Sequence, residues 1–317
     1  MQHIVSGILG ALVLILPLTV SAQDTPTRPL DPVAKSLQPD RMETYREVAG
    51  STLKLHIFEP AEHQSSDQRS AFVIIHGGGW TGGYPWRCYP FADYFRRQGM
   101  VTISVEDRLL DKPPGTTVFD CVQDGQAAVR YVRQNAARLG INPDRIVVSG
   151  CSAGGHVAAE TALYPDQRMS EHPAKLQHSA ISCRPNAMVL YYPVIDTSAE
   201  GYGQKKIGEN WQQLSPVHHV RANLPPTIVF HGTGDTVTPW KGAESFQKKM
   251  KAAGNDCELV SHADGVHGYL IFDVELFNQA MEKTRQFLVT HKFITDSEGP
   301  RALRGIGQNS ERFRIAD

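Results

Sequence analysis

The sequence predicts an α/β fold: one mostly parallel sheet, opened by an N-terminal antiparallel hairpin and covered by helices on both faces. Three observations carry this reading. Short apolar runs recur without polar alternation, at Phe72–Ile75, Val101–Val105, Ile146–Val148, Met188–Leu190 and Ile228–Phe230, as strands do when both faces are buried. Helical spacing fills the intervals between them, most plainly at Val122, Val129, Val132, Ala136 and Leu139, whose separations build one apolar stripe. A chain of 317 residues is long enough for one large domain of this kind and needs no second one.

Taken in order, the chain opens with an apolar run, Ile8–Leu16, followed by the small-residue site Val20-Ser21-Ala22. This reads as a signal peptide over 1–22, although its n-region offers only His3 and no Lys or Arg. The run is too short for a membrane-spanning helix, so export to a secreted or periplasmic location is expected over N-terminal anchoring. Residues 23–41 are rich in Pro, Thr, Asp and Gln without apolar periodicity, a composition expected of a flexible leader. The domain is expected over 42–295. Leu53, Leu55 and Ile57 alternate with Thr52, Lys54 and His56, which predicts a half-buried strand paired with Tyr45–Val48 across the Gly50-Ser51 turn. The buried runs follow, then a strand at Glu258–Ser261. Helices are expected after Ser152, over Ala243–Ala253 and over Leu276–Leu288. Two irregular stretches, Pro165–Asn186 and Pro193–Pro226, offer material for a functional loop or small cap. An aperiodic tail occupies 296–317.

Composition narrows the function. Lys and Arg total 32 against 33 Asp and Glu, a formal net charge of -1, so no basic footprint points to nucleic acid or an anionic membrane. The five cysteines, Cys88, Cys121, Cys151, Cys183 and Cys257, leave at least one without a disulfide partner in a monomer, and spacing does not give a pairing. No HExxH, paired CxxC or strand-borne GxGxxG is present, so neither a metal nor a dinucleotide cofactor is expected.

The chemistry gathers in four short segments. Gly150-Cys151-Ser152-Ala153-Gly154 lies between the strand Arg145–Ser149 and the Ala-rich stretch His156–Leu163. Strand, sharp turn and helix form the setting in which G-x-S-x-G presents a nucleophilic serine. His76-Gly77-Gly78-Gly79-Trp80 follows an apolar strand, where glycine amides can approach an oxygen that becomes negative in acyl transfer. The expected oxyanion donors are the amides of Gly77, Gly78 and Ala153. A serine nucleophile needs a base, and the base a carboxylate that fixes its tautomer. Asp235 and His267 both follow strands and keep the chain order serine, acid, histidine. His218, His219 and His231 break that order as bases. Asp196 and Asp264 are the alternative acids, and His76 reads as a structural hydrogen-bonding residue. Trp80, Trp86 and Trp211, with Tyr84, are candidate pocket walls, since aromatic faces stack on sugar or aryl groups.

Together these segments resemble the α/β-hydrolase superfamily, and more narrowly the BD-FAE and acetylxylan-esterase-like serine esterases, which are related to hormone-sensitive-lipase-like carboxylesterases. The resemblance runs from about Tyr45 to Leu288. It implies the α/β-hydrolase fold, Ser152 as nucleophile, Asp235 as acid, His267 as base, and an exported, cofactor-free carboxylic ester hydrolase. Its expected substrates are small-molecule or polysaccharide esters, acetylated xylan among them. Two departures stand out: Val105-Glu106-Asp107-Arg108-Leu109, where relatives commonly carry Tyr-Arg, and Cys151, where many hormone-sensitive-lipase-like members have Asp. The same triad would serve an arylformamidase or a peptidase, and a catalytically silent binding protein can share the fold.

Overall fold

The structure, a computed structural model, describes residues 28–164 and 181–295. The expected signal peptide 1–22, residues 23–27 of the leader, residues 165–180 of the first irregular stretch and the tail 296–317 lie outside the described residues.

Eight strands form one sheet: β1 Arg41–Val48, β2 Ser51–Phe58, β3 Arg69–Ile75, β4 Val101–Val105, β5 Ile141–Cys151, β6 Ala187–Tyr191, β7 Thr227–Gly232 and β8 Cys257–His262, in the order β1-β2-β4-β3-β5-β6-β7-β8. β1 and β2 form the expected hairpin. Val48 pairs with Ser51 across Ala49 and Gly50, both at positive φ, the backbone twist a tight two-residue hairpin turn requires. β2 runs antiparallel to β4, and every pairing from β4 to β8 is parallel.

Helices cover both faces, and the period-two register of the strands decides which core each residue joins. Val73 and Ile75 of β3, with Val148 of β5, pack under α3 Val118–Gln134, α4 Ala153–Leu163 and α6 Trp240–Ala252. Phe72, Ile74 and Val147 point the other way, into the core shared by α2 Tyr89–Arg97 and α8 Val274–Thr290. The remaining α-helices among the described residues are short: α1 Leu30–Ser36, α5 Gln204–Ile207 and α7 Tyr269–Phe272. α3 starts at a capping box, in which Thr117 and Asp120 each accept the other's backbone N–H. Its apolar stripe outlasts the helix, since Ala136 and Leu139 are buried beyond Gln134.

Two expectations need correction. The described part of the leader is structured: α1 buries Leu30 and Ala34, and β1 already begins at Arg41. One apolar pair four residues apart in a proline-rich stretch is too sparse to register as periodicity, yet it suffices to seat one helical face. β2 alternates only over its first half. His56 and Phe58 are buried as well, because Phe58 sits in a satellite core with Tyr89, Ala92, Leu37 and Trp86.

Candidate active site

Every candidate residue of the triad and the oxyanion loop arrives at the carboxyl edge of the parallel sheet, where an open α/β sheet has its crevice. Ser152 follows β5 and precedes α4, with φ 55 and ψ -119. A non-glycine residue in that region stores backbone strain. The strain is over-determined by neighbours. Ser152 N–H donates to the Tyr191 carbonyl, and the Ser152 carbonyl accepts from Val194 and His156. Gly154 permits the tight passage, since a Cβ there would stand 2.2 Å from the Ile75 carbonyl oxygen and 2.3 Å from that of His76.

Asp235 and His267 lie on loops after β7 and β8, joined by Gly234 N–H to the Gly265 carbonyl and by Asp264 N–H to Thr233 Oγ1. His267 Nδ1 lies 2.8 Å from Asp235 Oδ2, and Ser152 Oγ lies 2.8 Å from His267 Nε2. An ionised carboxylate can only accept, so Nδ1 carries the proton and Nε2 is left to accept from the serine hydroxyl. Asp235 also accepts from the amides of Val237 and Thr238 and from Thr238 Oγ1. Burial pushes its carboxyl up, but the bonds from His267 and Thr238 outweigh it and hold Asp235 below the usual carboxylate range. The arrangement can therefore deprotonate Ser152 toward His267 and stabilise the imidazolium that forms.

Gly77 abuts the nucleophile: a Cβ on it would lie 2.8 Å from the Cys151 carbonyl oxygen and 3.2 Å from Ser152 Cβ. Ala153 is the first residue of α4, so its N–H has no intrahelical partner. Gly78, at φ 137, closes a turn in which its carbonyl accepts from Thr81 and Gly82.

The aromatic expectations fare differently. Trp80 is 2% exposed and forms no pocket wall. It stands edge-on to His156, tilts against Tyr202, and carries φ 62. Trp86 stacks on Tyr84 under Lys35 and Arg87, beside the satellite core. Trp211 is half-buried, edge-on to His218, with its carbonyl accepting from Thr197 Oγ1. Among the described residues none of the three shares a hydrogen bond or ring contact with Ser152, Asp235 or His267. Residue type alone gives an aromatic's apolar area, not the side on which it is spent.

Two residues join the site that the sequence did not single out. Thr238 Oγ1 lies 3.1 Å from His267 Nδ1, and Tyr192, at φ 37, sets its ring edge-on to the His267 ring at 5.3 Å. Thr238 follows Asp235 by three residues and Tyr192 ends a buried run, so position relative to strand ends is the signal each one carries. Of the competing histidines, His231 lies beside the acid, its Nε2 3.5 Å from Asp235 Oδ2, but donates to the Thr238 carbonyl. His218 Nδ1 pairs with Ser215 Oγ and His219 Nε2 donates to the Gln212 carbonyl, away from the triad. Asp196 accepts from Ser198 N–H. Cys151 is buried within the α2–α8 core.

The BD-FAE family model matches residues 55–250. The chain belongs to the BD-FAE family. Among solved structures, esterase 2 of Thermogutta terrifontis is similar to this chain at 40% identity and TM-score 0.74, covering 80% of this chain and 96% of that one. Curated relatives include esterase LipQ of Mycobacterium tuberculosis, 28% identical over 65% of this chain and 51% of its own length. The acetylxylan esterase of Xylanibacter ruminicola is 29% identical over 63% of this chain and 41% of its own length. This chain thus spans about half the length, or less, of these curated relatives. BD-FAE membership and the esterase neighbours agree with the sheet order: the fold is the α/β-hydrolase fold of carboxylic ester hydrolases.

Proposed function

We propose that this BD-FAE member is an exported carboxylic ester hydrolase that removes acetyl or similarly short acyl groups from carbohydrate or small-molecule esters through an acyl-enzyme. The observation that carries the reading is the relay of two 2.8 Å contacts from Ser152 Oγ through His267 to Asp235, mounted on a strained serine at a strand end.

Ser152 Oγ attacks the ester carbonyl as its proton passes to His267 Nε2. The carbonyl oxygen becomes an oxyanion and accepts from the amides of Gly77, Gly78 and Ala153. His267 then protonates the departing alcohol oxygen, leaving Ser152 acylated. Water, deprotonated by His267, attacks that acyl group, and the acid leaves as Ser152 recovers its proton. Esterase 2 of Thermogutta terrifontis is known in propionate-bound and butyrate-bound forms, which supports a short acyl group here. The acetylxylan esterase relative supports acetylated xylan as one carrier.

The decisive experiment measures hydrolysis of aryl acetate, propionate and butyrate, with acetylated xylan and an arylformamide alongside, by wild type and Ser152→Ala. The variant is expected to lose about 10³-fold or more of kcat. An arylformamide turned over faster than every ester would move the assignment to amide chemistry, and full activity in Ser152→Ala would remove the serine mechanism. Export is tested by the N-terminus of protein recovered outside the cytoplasm, expected to follow Ala22.

A further inference from the structure

Behind the oxyanion loop lies a second buried acid–imidazole pair that the triad does not use. It joins His76 to Asp107, just beyond β4. His76 directly follows β3 and precedes Gly77. Its Nδ1 lies 3.1 Å from the Gly77 carbonyl, and its Nε2 lies 3.3 Å from Asp107 Oδ1. The two side chains are 4% and 5% exposed, and Asp107 Oδ1 has no aligned hydrogen-bond partner. Gly83 packs on the other side of the ring, where a Cβ would stand 2.5 Å from His76 Nδ1.

The proton count decides the chemistry. The Gly77 carbonyl can only accept, so Nδ1 carries a proton. Neutral imidazole then turns a lone pair at Nε2 toward Asp107, and a carboxylate would face it with a second lone pair. One more proton has to lie between them. It resides on the acid or on the ring.

We propose that Asp107 is a positioning residue for the oxyanion loop: as the neutral acid it donates to His76 Nε2, locking the ring that holds the Gly77 carbonyl and aims the Gly77 amide past Ser152.

The surroundings place the proton on Asp107. Arg108, its chain neighbour, and Arg46 are both committed to Asp124 of α3. Burial pushes the Asp107 carboxyl well up, and the Asp124 charge adds to it. Tyr45 of β1 and Cys121 of α3 feel the Asp107 charge and, being acids themselves, supply no cation. On the ring side, burial holds His76 below the ordinary histidine range despite its bond to Gly77. Arg87 and His56 oppose a cation there, while Glu106 favours one, but Glu106 is already paired with His56. A neutral pair leaves no charge behind an oxyanion that develops negative charge. An ionised Asp107 would oppose it and turn a lone pair on His76.

This inference rests on the ester-hydrolase reading, and wild-type turnover of an aryl acetate tests that reading by itself. Given turnover, kcat and KM are measured from pH 6 to 10.5 for wild type, Asp107→Asn and Asp107→Leu. Asparagine retains a donor and cannot ionise. It is expected to keep kcat at pH 7 within about threefold and to hold its plateau to higher pH than wild type. Leucine, lacking the donor, is expected to lose kcat about ten- to a hundredfold with KM within twofold. Three results would overturn the proposal: a tenfold or greater loss in Asp107→Asn at pH 7, an alkaline profile in Asp107→Asn that superimposes on wild type, or full kcat in Asp107→Leu. If Asp107→Leu does not fold, the two Asp107→Asn criteria decide alone.

Discussion

At the residue scale, Gly77 meets the nucleophile's own backbone where a side chain would begin. Its side-chain position is filled by two groups that cannot give way, the Cys151 carbonyl and Ser152 Cβ, both pinned by the elbow. Its φ is not in the left-handed region, so the backbone itself would accept an L-residue. Gly77→Ala is therefore expected to fold and yet displace the loop from the nucleophile. A kcat loss of about 10²- to 10³-fold, the scale of one lost oxyanion donor, should appear with thermal stability within a few degrees of wild type. Unchanged kcat would remove Gly77 from the donor set. The same residue shows why this part of the site was legible in the sequence. Glycine repeats, strand ends and chain order are local signals, and Ser152, Asp235 and His267 each sit where such a signal places them. Trp80 and Tyr192 were not legible in that way. The first is turned under the loop by its own positive φ, and the second reaches His267 only because β6 and β8 end on the same edge of the sheet, with β7 between them.

At the scale of elements, α4 ties the nucleophile to the irregular segment between β6 and β7. His156, one turn after Ser152, donates from Nε2 to the Leu214 carbonyl at 2.8 Å and lies beneath the Trp80 ring. It is fully buried. Burial depresses its pKa to about 4, against the bond to Leu214 that favours the charged form. Glu160, 3.9 Å away, offers no counter-charge, since burial pushes its carboxyl well up. The unfolded chain takes up a proton on this histidine near pH 6.5, the folded chain only near 4. His156 therefore contributes stability that is complete above pH 6.5 and is lost as pH falls toward 4, at up to about 1.4 kcal/mol per pH unit. His156→Gln keeps a donor for Leu214 and cannot titrate. The stability difference between wild type and this variant, from denaturant unfolding at pH 7.5, 6, 5 and 4, is expected to shift against wild type by ~3 kcal/mol across the series. A difference independent of pH would mean that folding does not shift the titration of His156. Elements with a strong repeat, such as α3 and α8, were readable from spacing. α1 was not, because its burial depends on a partner surface that only the folded sheet edge supplies.

At the scale of the whole molecule, the two cores on either side of the sheet absorb four of the five cysteines, and the fifth, Cys183, is buried beside Thr161. Cys88 and Cys151 lie in the core of α2 and α8, Cys121 and Cys257 in the opposite one, and Cys183 donates to the Thr161 carbonyl. None of the five is more than 6% exposed, and among the described residues no disulfide joins them. The sequence fixes an odd number and leaves their position open, because pairing depends on which strands and helices become neighbours. Burial raises the Cys257 thiol to about 12, and the hydrogen bond to Cys151 together with burial holds Cys88 well above its ordinary value. Reactivity follows the thiolate, so the folded molecule should be nearly inert to an exposed-thiol reagent. Titration of the purified protein is expected to give no fast-reacting thiol in buffer and five in denaturant. Three in denaturant would mean that one pair has oxidised, and Cys88 with Cys151, already in hydrogen-bond contact directly before the nucleophile, is the pair to map first. The native count carries the physical point: no fast thiol in buffer and five in denaturant would mean that a core this closed keeps its thiols reduced by exclusion.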